Sequence, residues 1–335
     1  MAVAYNKSRI SLYFHLMKTA YSIFFLLCLG HLLAGQSTQA LSDRIANYHI
    51  KVELDTAQRM LFASTDLRWH NPSKDTIREL QFHIYYHAFK NNQSTFLKEA
   101  GGIKSIIGKS FWEDCAWGAT KITSIRDQYD NDLTDSQTYI QPDDDNEADQ
   151  TVLRLLLKEP VLPYDSIQLD MQWQANIPKL LIRTGYNQDY YFMAQWFPKL
   201  GVYEPAGMRF AETGQWNCHQ YHLATEYYAN FGTYEVEITT PKGYVVGGSG
   251  KRIKTTETAS TQTLTYRAND VIDFAWTAYP NFIEVVDNWE HVTLRLLRHP
   301  DRSCLTERYL TSAKYALEYM DKYVGKYPYS VLTIV

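Results

Sequence analysis

The sequence predicts a mostly β protein whose antiparallel sheets have one buried face and one solvated face. Apolar and polar residues alternate with a period of two along several segments, which is typical of half-buried strands. Aromatic residues make up 14% of the chain, and aromatic rings fit pleated, half-buried surfaces well. Helical periodicity is nearly absent before residue 300, apart from a short helix predicted over 95–99. These three observations favour sheets over packed helices.

The strands are predicted where the alternation is strict. The second strand ends at Asn71, which Pro72 follows, and a turn is predicted over 55–58 between the first two strands. A second turn is predicted over 247–250, where three of the four residues are glycine. The predicted strands cover residues 48–54, 63–69, 80–86, 167–173, 234–238, 264–266 and 291–296.

A helix and a further strand are predicted at the carboxyl end. Apolar residues recur at three- and four-residue spacing over 305–324, with Ser303 as the candidate N-cap and Gly325 as the candidate stop. The apolar segment 329–335 predicts a strand buried on both faces. Because chain termini are usually exposed, we expect this sequence to be cut within a domain.

Composition limits the class of protein. Hydrophobic residues make up 45% and charged residues 21%, which are ordinary values for a folded chain. Lys and Arg number 33 against 37 Asp and Glu, so the chain has no basic field to attract nucleic acid. The length of 335 residues suits two domains. We therefore expect a folded protein with no nucleic-acid partner.

The first 40 residues are typical of an export signal and a short leader. Lys7, Arg9 and Lys18 precede an apolar run, and small residues follow it at Ala34 and Gly35. The apolar core is about a dozen residues long, shorter than the ~20 that a membrane-spanning helix needs. We expect a removed signal peptide and a periplasmic or secreted protein. An uncleaved signal anchor is the alternative, and it would be the only membrane association.

Three cysteines would remain after cleavage of the signal. In an oxidising compartment, one disulfide could form among Cys115, Cys218 and Cys304 and would leave an odd thiol. Three buried free thiols fit the sequence at least as well. The pairing therefore stays open.

The sequence contains no H-E-x-x-H helix, no Walker A loop and no G-x-S-x-G elbow. The acidic stretch over 142–149 could hold Ca²⁺, but it has no glycine for the sharp turn of an EF-hand loop, so a solvated loop is favoured. His83 and His87 would share one face of a strand, where packing is favoured over metal binding. No metal site is therefore predicted in these two segments.

A denser group of potential zinc ligands surrounds Cys218. His219, His222 and Glu226 follow it closely, and thiolate, imidazole and carboxylate all bind zinc. The alternation around 225–228 favours an extended segment, in which such close neighbours point apart. We therefore favour a structural role for this segment over a metal site.

Four blocks of sequence resemble the M1 family of zinc metallopeptidases, which is aminopeptidase N-like, and specifically its secreted bacterial branch. The resemblance extends from residue 45 to residue 335 and includes the late helix with KYPY at 326–329. The four blocks are YFMAQWFPKLGVYE at 191–204, WNCHQYH at 216–222, TEYYANFGTYEV at 225–236 and DFAWTA at 273–278.

The resemblance implies an antiparallel β-saddle N-terminal domain over 41–285 and the truncated start of an α+β thermolysin-like catalytic domain over 286–335. In that family a G-x-M-E-N-like strand binds the substrate amine and an H-E-x-x-H helix binds zinc. This sequence contains neither motif. The resemblance therefore implies zinc in the full-length family member, with no metal ligand and no catalytic residue in this chain.

The resemblance also implies one substrate contact from the N-terminal domain, a Gln or Glu just ahead of the F-P block. Gln195 and Asp189 are the candidates, because an amide or carboxylate oxygen can accept hydrogen bonds from a substrate ammonium. The alternative is that both are ordinary polar loop residues. Trp196 and Phe197 are expected in the core.

Two functions from different classes follow. The first is the N-terminal part of an exported zinc aminopeptidase that acts on peptides through a zinc-activated water and a general base. The chain alone would then be inactive. The second is a non-catalytic extracytoplasmic β domain that binds peptides or glycans. The sequence decides neither substrate preference nor oligomeric state.

Overall fold

A computed structural model describes residues 40–107, 117–179 and 182–335, of which Ser42–Val335 form one compact unit. The expected signal peptide and Cys115 lie outside the described residues, so export and the pairing of Cys115 stay predictions. Cys218 is a buried free thiol and Cys304 an exposed one, so the alternative of three buried thiols is wrong for Cys304. Within the described ranges, no helix is long and apolar enough to cross a membrane.

The prediction of a mostly β fold is confirmed. Twenty strands lie within the described residues. The first ten are β1 Ala46–Asp55, β2 Met60–His70, β3 Ile77–His83, β4 Ala119–Asp127, β5 Gln137–Ile140, β6 Val152–Val161, β7 Ser166–Asn176, β8 Thr184–Asn187, β9 Tyr190–Met193 and β10 Lys199–Leu200. The others are β11 Val202–Glu204, β12 Gln215–Asn217, β13 Gly232–Pro241, β14 Val245–Gly248, β15 Lys251–Glu257, β16 Thr261–Val271, β17 Trp276–Tyr279, β18 Ile283–Trp289, β19 Val292–Arg298 and β20 Val331–Ile334.

Three α-helices lie within the same ranges: α1 Thr95–Glu99, α2 Ile103–Ile107 and α3 Thr306–Tyr323. The prediction of α1 is confirmed, and the side chain of Ser94 caps it by accepting a hydrogen bond from Leu97 N at 3.2 Å. The predicted N-cap of α3 is wrong. Ser303 lies inside a 3₁₀ helix over Pro300–Leu305, and Leu305 is the N-cap, with no side-chain hydrogen bond.

A seven-stranded sheet in the order β15-β16-β13-β1-β2-β7-β4 forms the larger layer. Its neighbours are antiparallel as predicted, except that β1 and β13 run parallel. Their junction needs a glycine, since a Cβ on Gly232 would lie 1.6 Å from the carbonyl oxygen of Ala46. The parallel pair corrects the expectation of purely antiparallel sheets.

Four smaller sheets complete the fold, in the orders β10-β3-β6-β5, β14-β17-β9-β8, β11-β12 and β18-β19-β20. β19 and β20 are also parallel. β20 is half-buried along its length, so the prediction of a strand buried on both faces is wrong. It lies at the sheet edge and pairs with β19 alone among the described strands, so its other side has no strand to cover it.

Two predicted segments end differently from expectation. β3 ends at His83, and the apolar residues that follow form a 3₁₀ helix over Tyr85–Phe89. The predicted turn over 247–250 is confirmed only at Ser249 and Gly250, because Gly247 and Gly248 belong to β14. The expected domain boundary after residue 285 falls inside β18, and the two-domain division stays a prediction.

The core is one large apolar cluster with a small satellite. The large cluster includes Trp69 and Trp196, which are fully buried. The satellite packs β19 against α3 through Val292, Leu294, Leu296, Leu310 and Leu317. The satellite is therefore the smaller of the two apolar clusters among the described residues.

Candidate functional site

A cleft of about 490 Å³ lies between strands β14 and β17 on one side and β20 on the other. Its volume is in the range of small-ligand sites. Its walls are aromatic and small residues, with Asp273 as the only acidic side chain among the described residues that line it. The wall residues that matter below are Phe192, Asp273, Trp276, Tyr327 and Tyr329.

Glycines in β14 let the two walls approach each other. A Cβ on Gly247 would lie 2.4 Å from Leu297 Cδ1 and 3.2 Å from Thr333 Cγ2. Those atoms belong to β19 and β20, so any larger residue would push this sheet away from β14. The sequence places a glycine where the cleft requires close packing at its base.

Trp276 lines this cleft and carries a hydrogen-bond donor without a partner among the described residues. That donor is the indole Nε1 of a buried side chain. The neighbouring Trp196 differs, because its Nε1 donates to the carbonyl oxygen of Phe274 at 2.9 Å. Buried indole N–H groups usually find a partner. Trp276 is therefore a candidate to donate to a ligand.

Asp273 forms an ion pair beneath the cleft. Lys199 Nζ lies 2.9 Å from its Oδ2, and the backbone N–H of Phe274 donates to its Oδ1 at 2.7 Å. The Lys199 side chain is only 3% exposed, whereas that of Asp273 is 24% exposed. Burial lowers the pKa of Lys199, and the adjacent Asp273 charge offsets part of that shift.

The two predicted substrate residues lie apart from the cleft lining. Gln195 is behind Asp273, where its amide donates to Asp273 and its Oε1 is 3.4 Å from Lys199 Nζ. Asp189 is on the surface, with Arg59 NH2 at 3.9 Å from its carboxylate. The roles of both residues remain predictions. Sequence reasoning missed Asp273 and Trp276, although both belong to the DFAWTA block.

His83 and His87 do not share a strand face, contrary to the prediction. His87 lies in the 3₁₀ helix, where its two ring nitrogens contact the carbonyl oxygens of Gln150 and Thr120 at 2.9 and 2.8 Å. His83 contacts Cys218 Sγ at 3.6 Å. Burial lowers the pKa of His83 to about 3 and raises that of Cys218. This pair is therefore a neutral thiol beside a neutral imidazole, which is an inert combination.

The other histidines of the Cys218 segment pair with carboxylates. We call Glu99, Asp143, His219 and His222 the surface cluster. His219 Nδ1 contacts Asp143, and His222 contacts Glu99 at 2.7 Å and Asp143 at 3.4 Å. Glu226 pairs instead with Arg183. Each of these carboxylates is already engaged by a side chain of the protein.

The acidic stretch is a loop, as predicted, and it is tied to the protein by its own carboxylates. Asp149 accepts hydrogen bonds from Thr95 N at 2.9 Å and Thr151 N at 2.8 Å, and Asp144 accepts one from Gln220 at 2.9 Å. Over the described ranges, no group of three or more His, Cys, Asp or Glu side chains could hold a metal ion. The described residues therefore do not fit zinc.

Comparison with known proteins identifies the fold through solved structures. No protein-family model matches the chain, and no curated protein matches it. An M1 zinc metallopeptidase from Deinococcus radiodurans is 13% identical with a TM-score of 0.51, over 87% of this chain and 56% of that one.

Two further structures are similar at the same level. A mutant two-domain M1 zinc metallopeptidase bound to L-tryptophan is 12% identical, with a TM-score of 0.51 over 87% of this chain and 57% of that one. A mutant bound to a Tyr-Ser-Ala substrate, from D. radiodurans, is 13% identical, with a TM-score of 0.50 over 87% and 56%. The chain thus spans a little over half the length of these neighbours. At such identities the likeness shows the fold alone: this chain has an M1 metallopeptidase-like, mostly β fold.

Proposed function

We propose that this chain is the substrate-facing β region, with the beginning of the catalytic domain, of an exported M1-type zinc aminopeptidase. The observation that carries the proposal is the M1-like fold over 87% of the chain. The cleft between β14, β17 and β20 supports it, because this cleft opens on the half-buried edge of β20.

The cleft has the chemistry of a site for the amino end of a peptide. A carboxylate with about four lone-pair sites can accept further hydrogen bonds, and the Oδ1 of Asp273 accepts one from Phe274 N. A substrate ammonium would make a charge-assisted contact there, while its first side chain would lie against Phe192, Tyr327 and Tyr329. Structures similar to this chain carry a tripeptide substrate or an amino acid.

Zinc would supply a Lewis acid and an activated water in an enzyme of this type. The described residues offer no ligand set for it. The role proposed for this chain is therefore binding and orienting the peptide, and we expect the chain alone to hydrolyse nothing.

Sequencing the complete coding frame tests the parent function. The proposal predicts an open frame that continues into a G-x-M-E-N-like segment and then an H-E-x-x-H helix. A frame without those motifs would support the alternative, a non-catalytic domain that binds peptides or glycans. Amino-terminal sequencing of the exported protein tests export, and we expect the mature chain to lack the apolar run that precedes Ala34 and Gly35.

A binding measurement tests the cleft itself. We expect isothermal titration to show that a tripeptide with a free amino terminus binds this chain, and that its N-acetylated form binds about tenfold more weakly, since a charge-assisted contact is lost. Trp276→Phe should weaken both peptides equally, because it removes a donor rather than the charge partner. Equal affinity for the free and acetylated peptides would contradict the role given to Asp273.

A further inference from the structure

A second cavity, of about 450 Å³, lies at the end of β20, where Ile334 and Val335 line it. It is bounded by the β8–β9 hairpin, the turn between β17 and β18, the end of β19 and the start of α3. We call it the aromatic cavity. The residues that give it a chemical character are Tyr190, Tyr279, Phe282, Arg298, His299 and Arg302.

Three of its rings form a mutual edge-to-face set. The Tyr279 and Phe282 centroids are 5.3 Å apart with an interplanar angle of 81°, and Tyr190 lies 6.2 and 5.9 Å from them at 78° and 88°. Such packing is favourable between aromatic rings and fixes their orientation. The cavity therefore has rigid apolar walls suited to a flat hydrocarbon body.

The charges around this cavity are positive and unpaired. Neither Arg298 nor Arg302 forms an ion pair with a described residue, although Arg298 NH1 donates to the carbonyl oxygens of His299 and Pro300 at 3.3 and 3.2 Å. No acidic side chain lines the cavity within the described residues. Asp301, which does not line the cavity, is 84% exposed and lies 3.5 Å from His299 Nδ1. The cavity thus has two guanidinium groups without an anion.

We propose that the aromatic cavity binds a small organic anion, namely a carboxylate that carries an aromatic body. The planar guanidinium group of arginine matches a carboxylate in a bidentate geometry. Arg302, and behind it Arg298, meet the carboxylate, while the ring of the ligand packs against Tyr279, Tyr190 and Phe282. Among the described lining residues the two sites share only Val335, so the failure of this site would leave the proposed function untouched.

Isothermal titration of the full chain tests this site with three probes that differ only in charge. The probes are naphthylacetate, neutral naphthylethanol and cationic naphthylethylamine. We expect one molecule of naphthylacetate per chain, bound about tenfold more tightly than the neutral probe, as one charge-assisted contact implies. The affinity should fall as salt rises, because Arg302 is exposed.

Variants of the lining residues test whether the naphthyl probes bind in the aromatic cavity. Arg302→Gln should weaken naphthylacetate about tenfold and leave naphthylethanol unchanged, because only the charge contact is lost. Arg308→Gln is the matched control, since Arg308 is an exposed arginine of α3 that does not line the cavity. Phe282→Leu should weaken both probes together. A far-ultraviolet spectrum and an unfolding midpoint like those of the parent show that each variant is folded.

Two further ligands distinguish the carboxyl end of a peptide from a free aromatic acid as the source of the anion. If N-acetyltryptophan binds more tightly than naphthylacetate and its amide does not bind, the ligand is the carboxyl end of a peptide; the reverse order indicates a free aromatic acid. The proposal is overturned if the three naphthyl probes bind equally, if none binds saturably, or if Arg302→Gln leaves the affinity for naphthylacetate unchanged.

Discussion

Two groups of ionisable side chains in this molecule differ in how far their cationic members are buried. Beneath the cleft, Lys199 and Asp273 are 3% and 24% exposed. In the surface cluster, His219 and His222 are 61% and 24% exposed, and Glu99 is 40% exposed. In the first group the Lys199 ammonium is almost fully buried beside a partly exposed carboxylate, whereas in the second group both histidines are at least partly exposed to water. Burial, more than the residue types, should decide what each contributes to stability.

Removing one partner of the buried pair should have the largest effect. Asp273→Asn leaves the Lys199 ammonium buried without a counter-charge, so we expect a loss of about 3–5 kcal/mol in the free energy of unfolding. The pKa of Lys199 is already lowered by burial, and without Asp273 it falls further. The unfolded state then binds more protons than the folded state at alkaline pH, so the loss should shrink as pH rises.

Urea unfolding measures this loss, and Lys199→Met in the Asp273→Asn background is the control. The double variant removes both charges and should recover much of the stability. A loss below ~1 kcal/mol for Asp273→Asn would mean that the pair is solvated.

Removing a buried neutral hydrogen bond should cost an amount of unfolding free energy between the costs expected for the two ionic groups. Trp173 Nε1 donates to Thr65 Oγ1 at 3.0 Å in the core. Thr65→Val keeps the shape but leaves the indole N–H unsatisfied, so we expect a loss of about 1–3 kcal/mol. Chemical denaturation checks this value. The double variant Thr65→Val with Trp173→Phe should lose less stability than the sum of the losses of the two single variants. A loss equal to that sum would argue against the hydrogen bond.

The surface cluster should make a small contribution to the free energy of unfolding, and this contribution should depend on pH. Burial disfavours the His222 cation, but contacts with Glu99 and Asp143 outweigh it and raise the pKa of His222. The pKa of Glu99 is lowered, because hydrogen bonds from His222 and Leu223 outweigh its desolvation.

The sign of each contribution follows from linkage. The His222 contribution is fully present below the unfolded value of 6.5 and is lost as pH rises through the folded pKa. The Glu99 contribution is present above 4.5 and is lost as pH falls through its folded pKa. His222→Gln should therefore cost most between these values, up to about 1 kcal/mol.

Thermal unfolding from pH 4 to pH 8 would measure this difference between the parent chain and His222→Gln. His291→Gln is the control, because exposed His291 contacts the carbonyl oxygen of Tyr327 at 2.7 Å and no described carboxylate. The difference for this variant should lack the maximum. A difference that grows steadily above pH 7 would contradict the linkage.

An exposed ion pair should give the smallest effect. Arg183 and Glu226 are 47% and 63% exposed, so Arg183→Gln should cost only about 0–1 kcal/mol, and less in high salt. Urea unfolding at two salt concentrations tests this. A loss above that of His222→Gln would break the ranking by burial.

Much of the fold was predictable because one buried face leaves a period-two pattern in the sequence. That pattern predicts β1, β2 and β7 within a few residues, and it failed where buried positions are not consistently apolar, as in β4, where Thr120 and Asp127 are buried, or where the burial contrast is weak. β18 was missed because most of its residues are exposed or half-buried, so no apolar face is marked. The parallel pairing of β1 with β13 joins segments that are far apart in sequence. Alternation of apolar and polar residues predicts a strand but does not determine which strand pairs with it.

The candidate site was less predictable, because its contacts are long-range. Gln195 lies in a segment that resembles the peptidase family, but its bond to Asp273, 78 residues away, directs it behind the cleft. His219 and His222 look like metal ligands in sequence, and only the loop carrying Asp143 shows that they already have partners. Ligand-like residues predict a site only when the fold leaves part of their hydrogen-bonding capacity unused.

The proposal that this chain is an inactive part of a zinc aminopeptidase is tested most directly by one assay. It compares this chain with the product of its complete coding frame, both with zinc added. We expect the complete product to bind zinc and to release the first residue of a tripeptide, while this chain does neither. Zinc-dependent release of an amino acid by this chain alone would contradict it, as would a complete product that binds zinc but releases nothing.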